Sequence, residues 1–250
     1  MIESDQKKLW KARAATYNNL KWVNNSVLKQ AVLENGRFER HHSVLDAGTG
    51  TGIIASLIAP LVKEVHGIDI SPEMLSFVSN GHPNTVFKEG DVRKMTYPDA
   101  RFDRVITRNV FHNILVEEDR LRATRECRRV LKKGGWLILQ EGVPPHASLK
   151  RDFEKIFALK ETRATFLPEE LVSLLKQAGF AKVSVNIIDD KDFDLKNWLD
   201  NDGTLSEETK QKITDMHVNG SDEFKKHYNL RTLAGRVLID AKAAIVVGEK

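Results

Sequence analysis

From residue 42 onward, short runs of apolar and β-branched residues alternate with longer runs whose apolar positions recur at helical spacing. Strands are predicted at Ser43 to Asp46, Glu64 to Asp69, Thr85 to Glu89, Phe102 to Thr107 and Trp136 to Gln140. Most are apolar along their length, as parallel strands covered on both faces must be. Helices are predicted at Ile53 to Leu61, Pro72 to Asn80 and Glu117 to Leu131, with Ser71 as the N-cap of the second and Pro72 in its first helical position. The pair Gly134-Gly135 ends the third helix and turns the chain into its strand. Such alternation specifies an α/β fold with a mostly parallel sheet and helices on both faces.

Two helices, Gln6 to Tyr17 and Leu20 to Leu33, precede this core, the second stopping near Asn35-Gly36. After it, Leu167-Pro168-Glu169-Glu170 opens a helix to Gln177, Gly179 closes it, and Lys182 to Ile188 alternates as a strand. Phe193 to Tyr228 is polar and of mixed charge, with helical pieces at Leu195 to Asp200, Ser206 to His217 and Asp222 to Tyr228, before a final strand from about Gly235 to Val247. The expected organisation is one domain, 1–250: an N-terminal helical cap (1–40), a core (41–190), a helical insertion acting as a lid or a homodimer contact (193–230), and the final strand (235–248).

Composition adds limits. At 250 residues and 41% hydrophobic, the chain suffices for one full core. No run reaches the roughly 18 apolar residues of a membrane span, and the start MIESDQKKLW lacks the apolar stretch of a signal peptide. A soluble, cytoplasmic protein with no membrane partner is therefore expected. Cys127 is the single cysteine, which excludes an internal disulfide and a cysteine-based metal cluster; it reads as a half-buried small hydrophobe on a helix. The net charge of +4 is spread along the chain, and its densest basic cluster, Arg120 to Lys133, has the spacing of a solvated helix face. A nucleic-acid partner is not expected from this pattern, whereas an acidic substrate is compatible with the sign.

The candidate chemistry lies at strand ends. A strand closing on Asp46 runs into Gly48-Thr49-Gly50-Thr51-Gly52 and then a helix, a turn whose missing side chains let a ligand approach the backbone. Ile53 stands where a dinucleotide fingerprint wants its third glycine, and no Lys-Ser or Lys-Thr follows to make a nucleoside triphosphate loop. Asp69, 23 residues beyond Asp46, ends the next strand and can accept both ribose hydroxyls; Asp91, after the third, can accept from an adenine amino group. These strand ends meet at the edge where open α/β sheets bind ligands.

VLDAGTGTG, GIDIS with PEML, EGDV, FDRVITRNVFHNI, LKKGGWLIL and FLPEELVSLLKQAGF, in that order, resemble the motif series of class I S-adenosylmethionine-dependent methyltransferases of the small-molecule kind, a group that includes ubiquinone-biosynthesis methyltransferases. The resemblance spans roughly residues 40–190. It implies a Rossmann-like seven-stranded sheet with S-adenosylmethionine as cofactor. By the same resemblance, Gly48 and Gly50 flank the methionine part, Asp69 and Ile70 hold ribose and adenine, Asp91 and Val92 hold the adenine, and Arg108 or Asn109 stands beside the sulfonium. Thr49 and Met74 are counted with this set, Met74 having a core position as its alternative; Asp46 either contacts the cofactor or braces the loop. The N-terminal Trp10, Arg13, Ala14, Tyr17 set resembles the family's W-x-x-R-A-x-x-Y start, where the aromatic covers the cofactor.

The residues after the fourth strand, Arg108-Asn109-Val110-Phe111-His112-Asn113, lack the prolines that grip a planar amide, and Cys127 lies away from them as a nucleophile. Arg108 has the wrong charge to join a magnesium site, so a metal-independent enzyme is expected. His112 is the candidate base, its alternative being a packing or hydrogen-bonding role beneath the cofactor. Arg231 and His227 beside Tyr228, with His146 and His217, are further candidates to reach a substrate, the first two by gripping an acidic one. The expected reaction is in-line methyl transfer to an O, N or C atom of a small molecule. A tRNA-modifying methyltransferase and a non-catalytic cofactor-binding scaffold are the alternatives.

Overall fold

The computed structural model describes residues 2–79 and 82–250. In chain order the elements are α1 (Ile2–Tyr17), α2 (Ser26–Gly36), β1 (Ser43–Ala47), α3 (Ile53–Ile58), β2 (Glu64–Asp69), α4 (Pro72–Leu75), β3 (Thr85–Glu89), β4 (Phe102–Arg108), α5 (Glu117–Val130), β5 (Leu131–Val143), α6 (Lys150–Ala158), α7 (Pro168–Gln177), β6 (Ala181–Asp194), α8 (Leu195–Asp200), α9 (Glu207–Val218), α10 (Asp222–His227), β7 (Arg231–Leu233) and β8 (Arg236–Glu249).

The strands form one sheet in the order β3-β2-β1-β4-β5-β8-β6, with β7 paired to β8 as an eighth strand beyond the seven expected. β1 to β5 run parallel, and β8 inserts antiparallel between β5 and β6. Strand order reverses between β1 and β4, which opens a crevice at their carboxyl ends. The period-2 alternation of side chains sorts the core into two faces. Leu45, Val105, Leu137, Leu139 and Val246 pack with α5 and α7, while Val44, Ile106, Ile138 and Ile245 pack with α2 and α3. Cys127 is fully buried in the first of these, not half-buried.

A third apolar cluster joins Leu20 and Val23 of the N-terminal segment, Ile156 of α6, and Leu195, Trp198, Ile213, Phe224 and Tyr228 of the insertion. Cap and insertion therefore share one core. Among the described residues, no helix is long and apolar enough to cross a membrane.

Several boundaries differ from expectation. The second helix starts at Ser26, because Asn25 caps it by accepting from Val27 N and Leu28 N, and residues 21–24 form turns. The helix expected to reach Asn80 is the single turn α4; Asn80 itself lies outside the described residues. Gly134-Gly135 lies within β5, which begins at Leu131 because that residue already pairs with Phe102 across a bulge. β6 continues to Asp194 because Phe193 and Asp194 pair with Ile239 and Leu238, so the insertion opens at α8.

At the amino ends of the parallel strands, Glu64 accepts from Ser43 Oγ at 2.6 Å and from Arg101 at 2.8 Å. Burial raises its carboxyl, but these bonds and that of His66 overcome it and hold the group at about 2. A carboxyl depressed by folding stabilises the protein above its unfolded value, and that contribution fades as pH falls toward the folded one. Glu64→Gln is expected to cost about 1–2 kcal/mol at pH 7, discounted for partial exposure. In urea titrations, the gap between wild type and variant narrows as pH falls below about 4.5; a gap independent of pH would refute the assignment.

Candidate functional site

The turn after β1 is built on backbone that only glycine adopts at ease. Gly48 has φ 81° and Gly50 φ 56°; a β-carbon on Gly48 would stand 2.2 Å from Val110 Cγ2. The end of β2 clamps this turn. Gly48 N and Thr49 N both donate to Ile68 O, at 2.8 and 2.9 Å, and Gly50 N donates to Asp69 Oδ2 at 2.8 Å. Asp46 lies buried beneath, accepting from Thr49 Oγ1 at 2.7 Å and from the Ala55 N–H, while burial lifts its carboxyl to about 6.

Beside the turn lies a cleft of about 150 Å³. Gly48 and Gly50 face it from the β1 end, Asp69, Ile70 and Met74 from the β2 end, Asp91 and Val92 from the β3 end, and Arg108 and Asn109 from the β4 end. Tyr17 of α1 also lines it. Asp46 and Thr49 do not line the cleft; their side chains bond to each other under the loop.

Burial raises the Asp69 carboxyl even though Ser71 N and Gly50 N donate to it. Asp91 behaves oppositely: burial would raise it, but Arg93 donates to both of its oxygens and holds it low. Burial pushes the Tyr17 phenol up to about 12, so it remains a donor at neutral pH. The two terminal nitrogens of Arg108 donate to Trp22 O at 3.1 Å and Val23 O at 3.2 Å. They tie the N-terminal segment to the rim of the sheet. Asn109, at φ 57°, is in the left-handed region that Asn tolerates. Its N–H donates to Gln140 O and its Oδ1 accepts from Gly142 N, which fixes it on the boundary with a second cavity.

That second chamber, about 160 Å³, shares Trp10, Tyr17 and Asn109 with the cleft. His112 lines it, and its Nδ1–H donates to Glu141 Oε2 at 2.7 Å, which in a neutral imidazole leaves Nε2 as an acceptor. Glu141 is fully buried and also accepts from Phe111 N at 2.7 Å. Phe153 and Phe157 of α6 and Trp198 of α8 supply apolar wall.

Charged groups cluster on the same lining: Arg13 pairs with both Glu161 and Asp202, Lys160 with Asp202, and Arg163 with Glu161. Burial opposes ionisation of Glu161, yet Arg13, His112 and Arg163 hold it at about 2.

Of the other candidates, His217 is buried on the chamber lining with Nδ1–H donating to Ile213 O. Tyr228 lines the chamber too. Arg231 is engaged by Asp192 and Asp240, and His227 stacks on His146 at 4.2 Å; none of Arg231, His227 and His146 lines either cavity. Glu141 was missed by the reading that ended the fifth strand at Gln140, although a carboxylate directly after an apolar strand at the ligand-binding edge was its signal.

Comparison with known proteins identifies the family. Residues 45–139 match the family model described as a methyltransferase domain. The demethylmenaquinone methyltransferase of Thermotoga maritima is 32% identical over 162 residues, covering 55% of this chain and 69% of that protein. The uncharacterized methyltransferase YcgJ of Bacillus subtilis is 29% identical, with 77% of each chain covered. Its crystal structure superposes with a TM-score of 0.73 at 23% identity, covering 89% of this chain and 97% of that one, a likeness of fold. The same fold recurs in phosphoethanolamine N-methyltransferase 2 of Haemonchus contortus in complex with S-adenosyl-L-methionine, at TM-score 0.61 and 16% identity, over 88% of this chain and 52% of that one. With a relative above 30% identity matched over two thirds of its length, and a strand-end cleft suited to an adenosyl group, the chain belongs to the class I S-adenosylmethionine-dependent methyltransferases.

Proposed function

We propose that the enzyme methylates an O, N or C atom of a small molecule seated in the second chamber, without a metal and by in-line displacement. The observation that carries this reading is that cleft and chamber meet at Trp10, Tyr17 and Asn109. S-adenosylmethionine, when bound, supplies an electrophilic methyl group on a sulfonium.

In this reading Asp69 accepts the ribose hydroxyls, Asp91 and Val92 with Ile70 hold the adenine, Gly48 and Gly50 leave room for the methionine part, and Met74 packs under Gly50. Asn109 borders the sulfonium, and Tyr17 covers it. Arg108, Asp46 and Thr49 hold the walls and the loop in place.

On the chamber side the demand is a nucleophile aligned behind the methyl group and kept from water. The aromatic wall serves exclusion. Where the nucleophile is protonated, His112 Nε2 takes the proton, and the buried Glu141 carboxylate orients the ring and stabilises the imidazolium. Helices α8 to α10 share a core with the N-terminal segment around this chamber, so the insertion acts as a lid. The relatives named as demethylmenaquinone methyltransferases point to a small-molecule acceptor as well.

Gly48→Ala forces both left-handed strain and a clash with Val110. It is expected to weaken S-adenosylhomocysteine binding on the order of 100-fold in calorimetry. Unchanged affinity would remove the loop from the cofactor site.

His112→Ala is expected to lower turnover of a protonated acceptor about 10²–10⁴-fold, read as S-adenosylhomocysteine release. Cofactor affinity should stay within about twofold, since His112 lines the chamber and not the cleft. Full turnover in the variant would exclude the histidine as base.

A further inference from the structure

Two cationic groups of the acceptor chamber have incomplete bonding: Arg13 Nε and Arg163 Nη2 are both buried with no hydrogen-bond partner among the described residues. Among the charged side chains of its lining, Arg13 spans Glu161 and Asp202, and Lys160 shares Asp202. Arg163 has much less. Its Nη1 reaches Glu161 only at 3.5 Å, its Nε donates to Ala164 O at 3.4 Å, and its Nη2 is buried with no partner among the described residues. The other carboxylate nearby, Glu141, is taken by His112 and Phe111 N. The Arg163 side chain is 7% exposed, so water does not readily replace the missing acceptor.

Its surroundings define what fits. The guanidinium carbon lies 4.2 Å from the centroid of the Phe157 ring and 5.7 Å from that of Phe153. Aromatic contact on one face leaves the edge of the guanidinium for hydrogen bonding, an arrangement that favours an anionic oxygen over a neutral one. A second unmatched group faces the same chamber. Gln140 on β5 is buried, its Nε2 donates to Leu28 O at 3.3 Å, and its Oε1 accepts nothing among the described residues. It calls for a donor on the ligand.

Resting on the assignment of this chamber to the methyl acceptor, we infer that the acceptor is an apolar molecule bearing an anionic oxyacid group that seats on Arg163, with an O–H or N–H that reaches Gln140. Amines are disfavoured by the free guanidinium edge, and neutral rings leave it unpaired.

Trp10, Trp22 and Trp198 line the chamber, so intrinsic fluorescence reports its occupation. Protein saturated with S-adenosylhomocysteine is titrated with 4-hydroxybenzoate and phenyl phosphate as the carboxylate and phosphate arms, and with 4-hydroxybenzamide and tyramine as neutral and cationic counterparts. The expected result is at least one anion binding about tenfold or more tighter than the amide and the amine. Arg163→Gln should bring that preference to within about twofold, and Arg163→Lys should retain part of it, both with wild-type affinity for S-adenosylhomocysteine. Equal or tighter binding of the amide or amine overturns the inference. So does failure of both anions to bind at millimolar concentration, or a preference that survives Arg163→Gln. Anion binding that neither accepts methyl nor competes with an accepted substrate would overturn the assignment of the chamber to the acceptor while leaving the anion seat in place.

Discussion

The chain after β1 has to reverse over the ends of the parallel strands where Val110 leaves no room for a β-carbon at Gly48. That close approach requires left-handed backbone at a position clamped by two N–H donations onto a single carbonyl, Ile68 O. Because the clamp belongs to β2, the tips of β1 and β2 are tied together, and Asp69 is held against the glycine loop. β3 and β4 complete the rim through Asp91 and Asn109. The strand-order reversal between β1 and β4 opens the crevice; the glycine turn keeps side chains out of its β1 end.

The rest of the molecule is arranged around that rim. Arg108 holds the N-terminal segment to it through the carbonyls of Trp22 and Val23, which places Trp10 and Tyr17 between cleft and chamber. On the far side the buried ion pairs of Arg13, Lys160, Glu161 and Asp202 connect α1, the segment after α6 and the insertion. Removing one partner of such a buried pair leaves an uncompensated charge, so the four groups depend on one another. They fix the chamber's charged lining, and the aromatic residues fix its shape. A site assembled from three separate chain segments is a natural place for specificity to vary while the cofactor machinery stays constant.

Legibility in the sequence followed the range of the interactions concerned. The strand, glycine turn and helix from Val44 to Ile58 are local, and their residue types alone mark them. Asp69 and Asp91 were readable because strand ends carry carboxylates to a known edge. Side-chain direction was harder: Thr49 sits in the loop, but only the bond to Asp46 shows that it turns inward. Gly134-Gly135 looked like a helix stop, and the strand began earlier because β4 offered it hydrogen bonds. The same tertiary pairing carried β6 past Ile188 to Asp194. The α6 helix went unread, although the pattern of Phe153, Ile156 and Phe157 has helical spacing. Arg13 and Glu161 are 148 residues apart, and no pattern along the chain announces that they meet.

In the proposed reaction a cofactor cleft and an acceptor chamber share one wall. A crystal structure of the enzyme with S-adenosylhomocysteine tests this arrangement most directly. The ribose is expected on Asp69, the adenine beside Asp91 and Val92, and the sulfur at Asn109, facing the chamber that holds His112. A sulfur turned away from that chamber, or a nucleoside bound anywhere but the Gly48 cleft, would contradict it.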